Sequence, residues 1–210
     1  MNMKLITTAA LATLALAACQ KAADHVADES TKQVTRAEMV GKWTSACDQR
    51  GLLWAAAGIK SEKIVYNFYN NTGKTSMLYS DDSCQNEVGE ATYSGTATIG
   101  APSAVDSSSI LDLNYTAVSI TITNPDTVKL LNSPLTPGCG INDWAINTAR
   151  DVTAAAGGAN CPIAKPAQVF DIVKTDGQTL HFGMADAAHD KSTQATRPAQ
   201  LDLSNGYSKQ

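Results

Sequence analysis

Ile64-Val65-Tyr66-Asn67-Phe68-Tyr69 is followed by Asn70-Asn71-Thr72-Gly73 and then by Lys74–Ser80. The first run puts Ile64, Tyr66 and Phe68 on one face and Val65, Asn67 and Tyr69 on the other, the period of a strand. Asn, Thr and Gly supply the turn, and the second run returns with Met77 and Tyr79 on one side. The pattern predicts two antiparallel strands with an apolar face on Ile64, Tyr66 and Phe68.

The same reading extends in both directions. Lys42–Cys47 is a short strand containing Trp43, and Asp81-Asp82-Ser83 turns before Cys84. Ala91–Ile99 alternates strongly, and Ile110–Thr123 carries Leu111, Leu113, Tyr115, Ile120 and Ile122. Val128–Leu131 reads as another short strand. Val169–Lys174 and Thr179–Gly183 flank Asp176-Gly177, a strong hairpin signal. Short strands with frequent turns predict a mostly β fold, an antiparallel curved sheet or barrel. Thr35 followed by Glu38 is a capping-box pattern for a short helix before Gly41. One longer helix is expected at Ile141–Ala156, where Ile141, Trp144, Ala145, Thr148, Val152 and Ala155 recur at three- and four-residue steps. Asn142 would cap it and Gly157-Gly158 would end it.

The first residues announce export. Lys4, the apolar run Leu5–Ala15 and then Leu16-Ala17-Ala18-Cys19 have the layout of a secretory signal. The run is too short to span a bilayer core, which needs about 20 apolar residues. Leu-Ala-Ala-Cys resembles a lipobox, so residues 1–18 are expected to be removed and Cys19 to be acylated. Gln20 is not the aspartate that retains lipoproteins in the inner membrane of enteric bacteria, and outer-membrane delivery is expected by that rule. Residues 19–35 are polar and charged and read as a flexible tether. Residues 36–210 read as one domain.

Loss of Lys4 leaves fifteen basic residues against twenty acidic ones, a net charge of about −5. That offers no basic face to nucleic acid. With Cys19 assigned to lipid, Cys47, Cys84, Cys139 and Cys161 remain, an even set for an oxidising compartment. Three connectivities are open. Local pairing, Cys47 with Cys84 and Cys139 with Cys161, is preferred because each pair brackets a coherent segment. A straight helix of about 16 residues is about 24 Å long, so the second bridge requires the chain to fold back. A metal site is the competing reading, but there is no C-x₂-C, and His25, His181 and His189 are remote in sequence from the cysteines.

Gly41-Lys42-Trp43 is similar to the G-x-W of lipocalin-type barrels. Continued through Thr44-Ser45-Ala46-Cys47 and Gln49-Arg50-Gly51, it resembles the opening of the APCDD domain, named for secreted Wnt antagonists down-regulated by adenomatosis polyposis coli. Tyr66–Thr72 resembles that family's aromatic strand and asparagine turn, and Tyr79-Ser80-Asp81-Asp82-Ser83-Cys84 its Tyr-x-Asp-x-x-Cys segment. Leu180-His181-Phe182-Gly183 and Arg197-Pro198 resemble its Leu-x-x-Gly and Arg-Pro ending. The matches cover much of 41–100 and 180–200. The middle matches poorly, and the animal proteins carry two such units where this chain carries one. The resemblance implies a lipocalin-like barrel holding an apolar group such as an acyl chain, and no Wnt partner.

Trp54, Tyr66, Phe68 and Trp144 are the candidate lining of such a cavity; as core residues they would serve packing alone. The apolar run Leu52–Ala57 is either a lid near one end of the barrel or a short buried helix. Enzyme motifs are missing: there is no G-x-S-x-G, H-E-x-x-H or P-loop. Asp81-Asp82 lacks the further ligands of a calcium loop. His189 has Asp186 and Asp190 nearby but no marked nucleophile. The expectation is an envelope lipoprotein without catalytic activity, metal or cofactor, which binds a hydrophobic small molecule or acyl chain. The alternative is a structural or assembly lipoprotein acting through protein contacts.

Overall fold

In a computed structural model, residues 33–49, 58–70, 72–135, 137–161 and 163–210 are described. The expected signal, Cys19, most of the tether, the Leu52–Ala57 run and Trp54 lie outside these residues.

The strands are β1 (Lys42–Ser45), β2 (Asp48–Gln49), β3 (Ser61–Phe68), β4 (Thr72–Tyr79), β5 (Glu87–Pro102), β6 (Ser109–Ile122), β7 (Arg150–Asp151), β8 (Gln168–Thr175), β9 (Thr179–Phe182) and β10 (Tyr207–Lys209). Eight of them form a closed antiparallel ring in the order β1-β10-β9-β8-β6-β5-β4-β3, with β1 also paired to β3 to complete it. The expected mostly β fold, an antiparallel barrel, is therefore borne out. Closure leaves the ring without an open edge, which protects it from pairing with other chains.

Register decides which side chains face inward. Trp43 lies opposite Tyr66 and Tyr66 opposite Lys74. Lys74 then pairs with Tyr93, and Tyr93 with Val118. This face includes buried Trp43, Phe68, Ala91, Leu111, Leu113, Val118, Val173, Leu180 and Phe182. The expected alternation of Ile64, Tyr66 and Phe68 onto the interior holds. At the bulge beside Gly95, β6 leaves no room for a side chain on β5: a Cβ there would stand 1.9 Å from the Asn114 carbonyl oxygen.

One end of the barrel is closed by the N-terminal segment. The capping box at Thr35 and Glu38 forms as expected and starts the helix Arg36–Met39. Met39 is fully buried, and its carbonyl accepts the Trp43 indole N–H at 2.8 Å. Arg36 donates to the carbonyls of Tyr69 and Ala97, and the Val34 N–H reaches Ser109 Oγ.

The opposite end carries the long loops, and two expectations are corrected there. Val128–Leu131 is not a strand: it ends the helix Pro125–Leu131. Asn124 caps this helix by accepting from the Asp126 and Thr127 N–H groups, and Pro125 sits in its first turn, where a missing N–H costs nothing. The expected helix at Ile141–Ala156 does not form. A 3₁₀ turn at Gly138–Gly140 leads into extended chain, β7 and a series of turns. The periodic residues do not make one buried stripe, because Trp144 and Val152 are buried while Ala145 and Thr148 are exposed. β6 also needs a partner there: β8 covers it only from Ser109 to Asn114, and β7 supplies Arg150 and Asp151 opposite Ile120 and Ser119.

Both preferred disulfides are present. Cys47–Cys84 has a Cα separation of 5.9 Å and Cys139–Cys161 one of 4.3 Å. Without a rigid helix between them, Cys139 and Cys161 meet easily.

Candidate site at the barrel mouth

At the long-loop end, a cavity of about 350 Å³ opens between β1, β3 and β10, bordered by Ser45, Asp48, Ile64, Asp202, Asn205 and Tyr207. Ile64 and Tyr207 belong to the inward face, so the cavity leads into the barrel. Below it lies an aromatic group. The Tyr66 ring centroid is 4.6 Å from Phe182, 5.2 Å from Tyr207 and 5.8 Å from Phe68, to which it is parallel within 1°. Phe182 and Tyr207 meet edge-on at 5.2 Å. Such offset and edge contacts suit the ring quadrupoles.

Three phenols and one carboxylate share this interior. Burial pushes the Tyr66 hydroxyl well above the usual tyrosine range, helped by Tyr115, Tyr207 and Asp171. Tyr115 is pushed up by burial first and then by Asp171, and Tyr207 for the same causes rises to about 12. All three are neutral at physiological pH. Tyr66 nevertheless keeps some accessible surface. The Tyr115 hydroxyl is buried and, among the described residues, has no hydrogen-bond partner, an arrangement that costs free energy unless something else satisfies it.

Asp171 interrupts the apolar strand Val169–Val173 and is 3 % exposed. Its Oδ1 accepts the N–H groups of Ile172 and Gly183, and its Oδ2 accepts from Lys191 Nζ at 2.8 Å. Burial still outweighs Lys191, and the carboxyl titrates above the usual range. Arg197 donates to the carbonyls of Leu111 and Asp171 and to the Asp112 carboxylate, and lies over the Phe170 ring. Pro198 packs against Gly183, where a Cβ would fall 2.3 Å from it. Gly183, Arg197 and Pro198, remote in sequence from β8, thus meet around Asp171.

The expected lining residues do not form one wall. Tyr66 and Phe68 belong to the aromatic group. Trp144 sits in the loop that covers the same end, its indole N–H donating to the Gly138 carbonyl and its main chain paired with the Asn132 side chain. It borders a separate apolar cavity of about 60 Å³ with Leu78, Ile120, Ile122, Leu131 and Ile163. Asp81 spends its carboxylate on the Ser83 hydroxyl and then on the N–H groups of Asn86, Gln85 and Ser83, and these hold it below the usual range. His189 pairs with Asp186 at 2.9 Å, and His181 meets the Asp202 carbonyl at 3.1 Å. No group of three metal-ligating side chains occurs among the described residues.

Tyr115, Asp171, Phe182 and Tyr207 were not singled out from the sequence as site residues. Asp171 carried a usable signal, a charge inside an otherwise apolar strand. Tyr207 had none, since a three-residue strand after Gly206 is too short for periodicity. Fold and site together define a closed antiparallel barrel, with two disulfides in its loops and a polar mouth over an aromatic interior. No protein-family model matches the chain, and a search of curated proteins returns no match.

Proposed function

We propose that this chain is an envelope lipoprotein, anchored through Cys19, whose barrel binds a small molecule with an apolar body. The observation that carries the reading is the cavity of about 350 Å³ whose floor is Ile64 and Tyr207 and which leads toward Tyr66. Its volume lies at the lower end of the range of small-molecule sites, roughly 300–1,000 Å³. The ligand is therefore compact, or inserts only one end. The outer membrane is the proposed location, on the strength of Gln20, and the role is binding without catalysis.

A second reading has its own support. The rings of Tyr66, Phe68, Phe182 and Tyr207 pack against one another inside the barrel, and a filled interior would favour a structural lipoprotein working through protein contacts. Titration of the purified protein with a fluorescent fatty acid and with compact aromatic probes separates the two. Saturable binding weakened by Tyr207→Ala supports the binding module; no saturable binding of any probe favours the structural role. For the anchor, Cys19→Ala is expected to leave the protein unprocessed or soluble, and unchanged membrane fractionation of that variant would refute acylation.

A further inference from the structure

The mouth cavity has a charge as well as a shape. Asp48 and Asp202 are the carboxylates among its lining residues, and among the described residues neither Lys nor Arg lines it. Asp48 stands opposite Glu62 in the β2–β3 register. Asp202 is turned into its loop by Ser204 and Asn205. Among the described residues three further charged groups face the interior: Glu62, buried on the same face of β3 as Ile64 and Tyr66; Asp171, which is ion-paired with Lys191; and Lys74, whose Nζ lies 5.7 Å from the centre of the Tyr93 ring. None of them is among the residues that border the mouth cavity. The phenols of Tyr66, Tyr115 and Tyr207 stay neutral, and the buried Tyr115 hydroxyl has no partner among the described residues.

We propose that the mouth takes a small organic ammonium ion, an inference that rests on the binding reading above. The positive charge sits between Asp48 and Asp202 at the face of the Tyr207 ring. The apolar body passes over Ile64 toward Tyr66. Aromatic faces attract cations through the ring quadrupole, and the two carboxylates add Coulomb attraction that an anionic head would meet as repulsion. The phenol oxygens below, that of Tyr115 included, offer acceptors to a ligand N–H, whereas a purely apolar ligand would leave them unused.

The test compares three probes of one size on the full-length protein: benzyltrimethylammonium, benzyl alcohol and benzenesulfonate, followed by calorimetric titration. The cation is expected to bind at least about tenfold more tightly than the sulfonate, a preference that shrinks as salt screens the rim. Asp48→Asn, a change on an exposed strand, should weaken the cation more than benzyl alcohol and so reduce that preference, while leaving the unfolding temperature in place. Equal or tighter binding of the sulfonate, or a cation preference untouched by both Asp48→Asn and salt, overturns the ammonium assignment and leaves the binding reading standing. If none of the three binds saturably, both fall.

Discussion

The Asp171 carboxylate accepts the main-chain N–H of Gly183 at 2.9 Å, just beyond the last register pair of β8 and β9. The same N–H also donates to the Ile172 carbonyl at 3.1 Å, so the carboxylate reinforces the last ladder bond where β9 leaves the sheet, and Lys191 ties the following loop to the same group. Removing the carboxylate leaves the half-buried Lys191 without its partner and takes an acceptor from the buried Ile172 and Gly183 N–H groups. Asp171→Ala is expected to cost about 3–5 kcal/mol, measured by urea unfolding.

The same carboxylate sets a pH dependence. Its folded-state titration is raised by burial, so the folded protein binds the proton more tightly than the unfolded chain. Its contribution to stability is therefore largest at or below the ordinary carboxylate range, about 4, and declines as pH rises through the folded-state value. The exposed turn carboxylates Asp151, Asp176 and Asp190 are held below their usual range by turn hydrogen bonds and act in the opposite sense. Unfolding curves of the wild type and Asp171→Asn at pH 4 to 8 isolate the first effect. The wild type should lose ground relative to the variant as pH rises; the reverse trend would refute this account.

The two disulfides close loops with sequence separations of 37 and 22 residues. In the chain-entropy model each stabilises by about 3–4 kcal/mol. No free thiol is expected among the four cysteines after denaturation without reductant. Replacing Cys139 and Cys161 together by serine should lower stability by about 3 kcal/mol, and peptide mapping that links Cys47 to any cysteine but Cys84 would contradict the pairing.

At Gly95 the chain has no room for a methyl group, because the nearest atom is backbone and cannot rotate away. Gly95→Ala must push β5 from β6 and is expected to cost about 1–3 kcal/mol or more. Gly140, with open space around its Cβ position, is the control for steric cost, although its positive φ still carries conformational strain.

Trp144 is 4 % exposed and borders the small apolar cavity. Trp144→Ala should cost about 3–5 kcal/mol. The enlarged apolar space should then bind benzene, as dry engineered cavities of about 150 Å³ do. Absence of stabilisation by benzene would mean that the loop collapses onto Ile120 and Ile122.

The barrel was legible in the sequence wherever alternation ran long enough to choose a face, as in Ile64–Phe68 and Leu111–Tyr115. The cysteine pairing was legible from count and spacing. The region from Asn124 to Cys161 was misread because its cues are local rather than periodic. Asn124-Pro125-Asp126 is a helix start of strong type, yet the apolar residues after it suggested a strand. Trp144 and Val152 fell at helical spacing by coincidence, each buried by a different turn of an irregular loop. The interior site was only partly readable, since Tyr207 and Asp171 meet Tyr66 through ring closure, a property of no single segment.

The division of β6 between two partners gives the wall a zip and a clasp. From Ser109 to Asn114 a full strand secures it; from Val118 to Ile122 the fastening comes from β7 and neighbouring bonds, such as Val152 N–H to the Val118 carbonyl and Asn147 N–H to the Ile122 carbonyl. That clasp belongs wholly to the loop that Cys139 and Cys161 tie off. Reducing this single bridge should let the upper half of the seam breathe while the lower half keeps its amide protons. The side of the barrel would then open like a pocket flap, with no strand of the closed ring leaving its place.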